Sequence, residues 1–89
     1  MSTISQTAYP NPAKLSEGPV RFDGLAAGMT VEVYTVTGEL IKKHAATGPG
    51  VWAWNGQNDS GTTIAGGVYL YLIRDANKVT KRGKLVINR

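Results

Sequence analysis

Apolar and polar residues alternate along most of this chain with a period of two, which is the pattern of strands that bury one face. Met29 to Val36 is the clearest case, with Met29, Val31 and Val33 on one face and Thr30, Glu32 and Tyr34 on the other. Thr37-Gly38-Glu39 breaks the run as a tight turn, and Leu40 to Ala45 returns as its partner, growing polar toward the surface. Gly48-Pro49-Gly50 stops that second strand. Earlier in the chain, Pro19 to Asp23 alternates in the same way and meets Gly24, and Leu25 to Gly28 forms a connection. Later come Val51 to Trp54 and Gly66 to Asp75, joined by a polar turn that carries Gly56 and Gly61. Gly66 to Asp75 is unusual because Val68, Leu70 and Leu72 make one face apolar while Tyr69, Tyr71 and Ile73 make the other apolar too. Such a strand is expected at the centre of its sheet or between two layers. Ala76-Asn77-Lys78 then turns the chain into Val79 to Asn88, with Leu85 and Ile87 directed inward. No stretch has a helical period of useful length, and no segment repeats.

About seven short strands with turn signals every eight to twelve residues predict an all-β domain, a small antiparallel β-sandwich of immunoglobulin-like type. Eighty-nine residues bound it to one domain with one modest core. Residues 1–8 read as a flexible lead-in or linker and residues 9–89 as the sandwich. Tyr9-Pro10-Asn11-Pro12 opens the domain; proline cannot donate to a central ladder, so this segment is expected along a sheet edge. With no cysteine, disulfides and thiolate metal sites are excluded, and the domain is not of the disulfide-bonded antibody type. No run approaches the roughly 20 apolar residues that cross a bilayer, so no membrane insertion is expected. Met1 to Thr7 lacks the basic start and apolar middle of a signal peptide. An exported chain would therefore carry that signal elsewhere, as expected of a piece of a longer protein.

The formal charge is +4, and basic residues gather late, at Lys78, Lys81, Arg82, Lys84 and Arg89. Without interleaved aromatics these do not make a single-strand nucleic-acid binder, and cations on an edge strand also discourage sheet-to-sheet aggregation. No nucleic-acid partner is expected. Nor do the residues assemble a catalyst: His44 is the single histidine, and Asp23, Asp59 and Asp75 all fall in or beside turns. No catalytic, metal or cofactor site is predicted. Asn55, Gln57, Asn58 and Asp59 resemble a calcium loop only faintly, because Asp59 alone is a carboxylate; a turn whose side chains bond their own backbone fits better. Lys14, Lys42 and Lys43 carry no signature of an intramolecular isopeptide bond. Trp52 and Trp54 point to one face of their strand. Exposed, they would make a platform for stacking sugars; buried, they would supply bulk to a small core, and the core's need for bulk favours burial of at least one.

Taken in order, four segments carry a resemblance. Tyr9-Pro10-Asn11-Pro12 is the first, and Val31 to Ile41 with Gly38 at its turn is the second. Trp54-Asn55-Gly56-Gln57-Asn58 with Gly61 is the third, and Gly67-Val68-Tyr69 with the late Gly83-Lys84-Leu85-Val86-Ile87 and Arg89 is the fourth. Together they resemble the immunoglobulin-like C-terminal domain of the flagellar hook-capping (FlgD-type) protein, and equally the C-terminal sorting domains read by the type IX (Por) secretion system. The hook-cap type usually has aspartate at the position of Asn55. The resemblance implies a non-catalytic C-terminal module of a larger secreted or cell-surface bacterial protein, exported through the periplasm. Its expected partners are the translocon or shuttle proteins and the parent cargo domain. Recognition is expected at Gly83, Lys84, Leu85, Val86, Ile87 and Arg89, by strand addition or charge pairing, with a peptidase cutting before Tyr9 after transit. Two other readings stay open at this point: a structural or assembly domain of the hook-cap type, and a carbohydrate-binding module built on Trp52 and Trp54.

Overall fold

The computed structural model describes residues 8–88, and in it the alternating segments become two facing sheets. The smaller sheet has the order β1-β3-β6, made of β1 (Ala8–Tyr9), β3 (Val20–Leu25) and β6 (Gly50–Trp54). The larger has the order β2-β8-β7-β4-β5, made of β2 (Ala13–Lys14), β4 (Met29–Thr35), β5 (Leu40–Ala45), β7 (Gly67–Asp75) and β8 (Lys78–Asn88). Six of these are the strands expected from the alternation. The other two, β1 and β2, are two-residue stubs on either side of Asn11. They tie the opening segment first to β3 in one sheet and then to β8 in the other. The pairing of β2 with β8 is parallel, a departure from otherwise antiparallel ladders. A short 3-10 turn, Leu15–Glu17, follows β2. Ala8, placed in the lead-in by its sequence, pairs with Phe22; residues 1–7 and Arg89 lie outside the described residues.

The core is what the period of two predicts. Val20, Phe22 and Trp54 face in from the small sheet, and Val31, Val33, Tyr71, Ile73, Leu85 and Ile87 from the large one, each at most 5% exposed. Phe22 is the hub: Tyr71 meets its ring edge-on at 5.5 Å between centroids, and Trp52 and Trp54 lie at 5.3 and 6.5 Å. Burying rings of this size is the largest hydrophobic contribution open to a domain so small. As expected, β7 is central, between β4 and β8. Only one of its apolar faces is covered, however. Tyr71 and Ile73 are buried, whereas Val68 and Leu70 on the opposite face are 44% and 40% exposed. The hairpin to β8 turns through Ala76 and Asn77, both at positive φ, and closes on the pair Asp75 and Lys78.

Candidate functional site

The residues singled out on the last strand divide by the pleat. Leu85 and Ile87 are buried to 0% and 1% exposure, so an arriving partner cannot touch their side chains without opening the sandwich. Gly83 is half-buried and constrained from the inner side. It pairs with Tyr71, whose ring lies over it so closely that an added Cβ would meet the ring at 2.7 Å. Lys84 is exposed and Val86 half-buried, on the outer face with Arg82. Of the predicted group, Lys84 and Val86 are thus the side chains presented to solvent, and Arg89 falls outside the described residues.

The backbone edge of β8 is less open than its sequence suggests. Asn11 reaches it from the opening segment: its Nδ2 donates to the Lys84 carbonyl at 2.8 Å, and its Oδ1 accepts from the Val86 N–H at 3.0 Å. One residue further, β2 pairs Ala13 with Ile87 and Lys14 with Asn88. The edge from Lys84 to Asn88 is therefore already covered, and strand addition there would have to displace the chain's own opening segment. Only charge pairing and side-chain contact remain open on this stretch. Sequence reasoning placed Tyr9 to Pro12 on a sheet edge but did not see that Asn11 works as a clamp. The signal was an amide side chain, with one donor and one acceptor, held between two prolines that contribute no N–H.

The other motif residues build the frame. Tyr9 pairs with Arg21 at the outer edge of the small sheet, and Pro10 and Pro12 bracket the clamp. Gly38, at φ 96°, turns β4 into β5, its N–H donating to the Thr35 carbonyl at 2.9 Å. Trp54 is 1% exposed and its Nε1–H donates to the Gln57 carbonyl at 2.8 Å. Asn55 Oδ1 accepts from the Gln57 N–H at 3.1 Å, and Asn58 Oδ1 accepts from the N–H groups of Ser60 and Thr62, each at 3.0 Å. The polar turn thus directs the amide oxygens of Asn55 and Asn58 to its own backbone. Gly56 sits at φ 82° directly against Leu15, where a Cβ would meet a methyl carbon at 2.6 Å. Gly61 donates to the Asn58 carbonyl at 2.9 Å, Gly67 begins β7, and the Tyr69 hydroxyl donates to the Ala65 carbonyl at 2.7 Å. Among the described residues, no group of three or more His, Cys, Asp or Glu is placed to hold a metal ion. Lys42 meets Asp59 at 3.4 Å as a surface ion pair, and Lys14 meets Glu17 at 3.9 Å.

The sugar-platform reading does not survive the geometry. Trp54 is buried, and Trp52 is stacked against His44 at 4.2 Å with 5° between planes and against Phe22 at 5.3 Å. Its stacking surface is already engaged inside the sandwich. Burial, helped by the charge of Lys42, holds the His44 imidazole below its usual value of 6.5.

On the outer face of the large sheet, Glu32 is 7% exposed, a carboxylate buried on what the sequence marks as the polar side of β4. Its Oε1 accepts from the Tyr34 hydroxyl at 2.7 Å and from Arg74 Nε at 3.0 Å. Burial alone would raise its pKa. The hydrogen bonds from Tyr34 and Arg74, with the charges of Arg74 and Lys43, outweigh that and hold it below 4.5. The same bond to Glu32, together with burial, raises the Tyr34 phenol. Around this network lie Leu72 and Arg82 in register with Glu32, and Leu70 and Lys84 in register with Tyr34.

Comparison with known proteins agrees with this frame. The family model of the secretion system C-terminal sorting domain matches residues 7–88. Among solved structures the chain is similar to PorZ of Porphyromonas gingivalis, described as an essential bacterial surface component of the type-IX secretion system. The two are 28% identical with a TM-score of 0.77, over 94% of this chain and 11% of that one. The chain thus spans 11% of the length of that protein. Comparison with curated proteins gives no match. The chain belongs to the family of secretion system C-terminal sorting domains, the type IX sorting signals of larger secreted or cell-surface proteins.

Proposed function

We propose that this domain works without catalysis, as a folded handle that secretion translocon or shuttle proteins grip after the parent protein has entered the periplasm. The observation that carries this reading is the pre-formed outward row of β8. Arg82 and Lys84 stand exposed on a strand whose backbone is fixed on one side by β7 and on the other by Asn11. Cations held on a rigid scaffold steer and orient an acidic partner at little entropic cost. Within the expected recognition group, Lys84 and Val86 would make the contact, Arg89 would extend it, and Gly83, Leu85 and Ile87 would hold the strand in place.

The test is a fusion of a signal peptide, a fluorescent reporter and the whole 89-residue chain, expressed in a bacterium with a working type IX system. Reporter is expected in the medium or on the cell surface. Truncation after Asn77 should abolish export, but it also removes Leu85 and Ile87 from the core and so cannot separate recognition from folding. Lys84→Glu can, because the side chain is exposed. Reduced export of a Lys84→Glu fusion whose melting temperature is unchanged would place recognition on this row. Retention of the unaltered fusion in the periplasm would instead favour a structural module of the hook-cap type.

A further inference from the structure

A central strand that is apolar on both faces is built to be covered on both, yet in this domain the outer face of β7 has no cover among the described residues. Val68 and Leu70 are 44% and 40% exposed, and Leu72 follows on the same face. The register continues the apolar surface sideways. Leu70 is opposite Tyr34, Tyr34 is opposite Leu40 (44% exposed), and Val68 is opposite Val86. Between β7 and β8 a groove of about 350 Å³ is lined by Leu70, Leu72, Arg82 and Gly83, together with Tyr71. Contiguous exposed apolar side chains with a polar rim mark interaction surfaces.

The rim says what kind of surface fits. Glu32, the carboxylate within these rows, is answered by Arg74 at 3.0 Å and by the Tyr34 hydroxyl. That leaves Lys43 on the β5 side and Arg82 and Lys84 on the β8 side as the charges bordering the apolar centre. We propose that this outer face docks a protein surface with an apolar centre and an acidic rim, an inference that rests on the sorting reading and names the chemistry of its partner. A second copy would bring like charges face to face. A lipid surface would need side chains that project, whereas these lie along a sheet and are more than half covered by their neighbours. Strand addition is restricted because Asn11 and β2 already occupy the edge from Lys84 to Asn88.

The experiment uses the full chain, isotope-labelled, and follows its amide resonances as probes are added. The probes are a capped hexapeptide of alternating glutamate and leucine, the matched lysine–leucine hexapeptide, and phosphatidylglycerol vesicles. Shifts confined to β4, β5, β7 and β8 with the glutamate peptide, at least ten-fold weaker with the lysine peptide and lost in Leu70→Ser and Arg82→Glu, would support the proposal. Equal response to both peptides, no response on this face, a stronger response to vesicles, or concentration-dependent dimerisation through it would overturn it. The reporter fusion separates this proposal from the reading it rests on. Export of the unaltered fusion with a several-fold loss for folded Leu70→Ser and Arg82→Glu supports the docking face. Unchanged export of both variants overturns the face and leaves the sorting role intact. Failure of the unaltered fusion overturns the sorting role, and the titration then decides the face by itself.

Discussion

At the scale of single residues, two glycines do their work by what they leave out. Gly56 combines a positive φ with direct contact to Leu15, so any side chain there meets both a backbone and a packing penalty. Gly83 has no positive φ to defend; its sole constraint is the Tyr71 ring lying over it. Tyr71 in turn is wedged edge-on against Phe22 and cannot withdraw freely. Gly83→Ala is therefore expected to lower stability by about 1–3 kcal/mol, the usual cost of overpacking a filled core. Urea denaturation measures it. The clash is specific to the far end of the tyrosine ring, so in a Tyr71→Leu background the added cost should shrink to below about 0.5 kcal/mol, a coupling that only neighbouring residues show. A fully additive double mutant would mean that Gly83 is needed for some reason other than this ring. None of this is visible in the sequence. A glycine two residues before a buried leucine reads as part of a recognition motif, because nothing local announces which side chain from another strand will cross over it.

The element that decides how the terminal strand is presented is the opening segment, and its contacts span almost the whole chain. Asn11 bonds residues 73 and 75 positions away, linking the start of the domain to the edge of β8. Removing the amide in Asn11→Ala should cost about 1 kcal/mol, the net value of a pair of partly solvated hydrogen bonds. A sharper readout is hydrogen exchange. The Val86 amide, held by Asn11 Oδ1, should lose its protection in the variant, while that of Leu85, directed at β7, keeps it. An exposed edge also recruits other edges, so light scattering at high concentration should rise in the variant. Equal protection of Val86 in both proteins would show that β2 alone secures the edge. The contrast between what was legible and what was not is clearest at this scale. The six long strands, their inward residues and the central place of β7 follow from alternation, because burial of one face imposes a period of two on every strand it shapes. The stubs β1 and β2 are too short to carry a period, and the parallel pairing of β2 with β8 depends on where the chain returns rather than on local pattern. The apolar outer face of β7 is legible as composition and its central place follows from it, but composition does not say whether a second layer covers that face, and none of the described residues does.

For the molecule as a whole, acid is the condition that should loosen the sandwich, and two groups in different places contribute in the same direction. His44 lies at the open side between the sheets, stacked on Trp52, and burial together with Lys42 keeps its folded pKa below the usual 6.5. Above 6.5 the imidazole is neutral in both folded and unfolded chains, and its contribution is fully present. As the pH falls through that value the unfolded chain takes the proton first, so stability declines until the folded pKa is reached and then levels off. Glu32 is the second group. Its folded pKa lies below 4.5 despite burial because Tyr34 and Arg74 bond the carboxylate, so its contribution is full above 4.5 and is lost as the pH falls through the folded value. With 10 Lys and Arg against 6 Asp and Glu, protonating the carboxylates also adds to an already positive charge and deepens the loss. The expected profile of urea stability against pH is flat from neutral pH up to the tyrosine range near 10.0, above which the raised phenols of Tyr34 and Tyr71 make it fall. On the acid side a shallow step starts near 6.5 and a steeper fall near 4.5. His44→Gln should erase the first step and leave the second. Glu32→Gln should lower the neutral plateau and flatten the acid limb, because the charge-assisted bonds to Arg74 and Tyr34 are then absent at every pH. Tryptophan emission supplies an independent check, since protonated His44 stacked on Trp52 should quench it with a midpoint below 6.5 while the fold is intact. A quenching midpoint above 6.5 would mean that the positive charge is favoured beside the indole, and the first step would then run the other way.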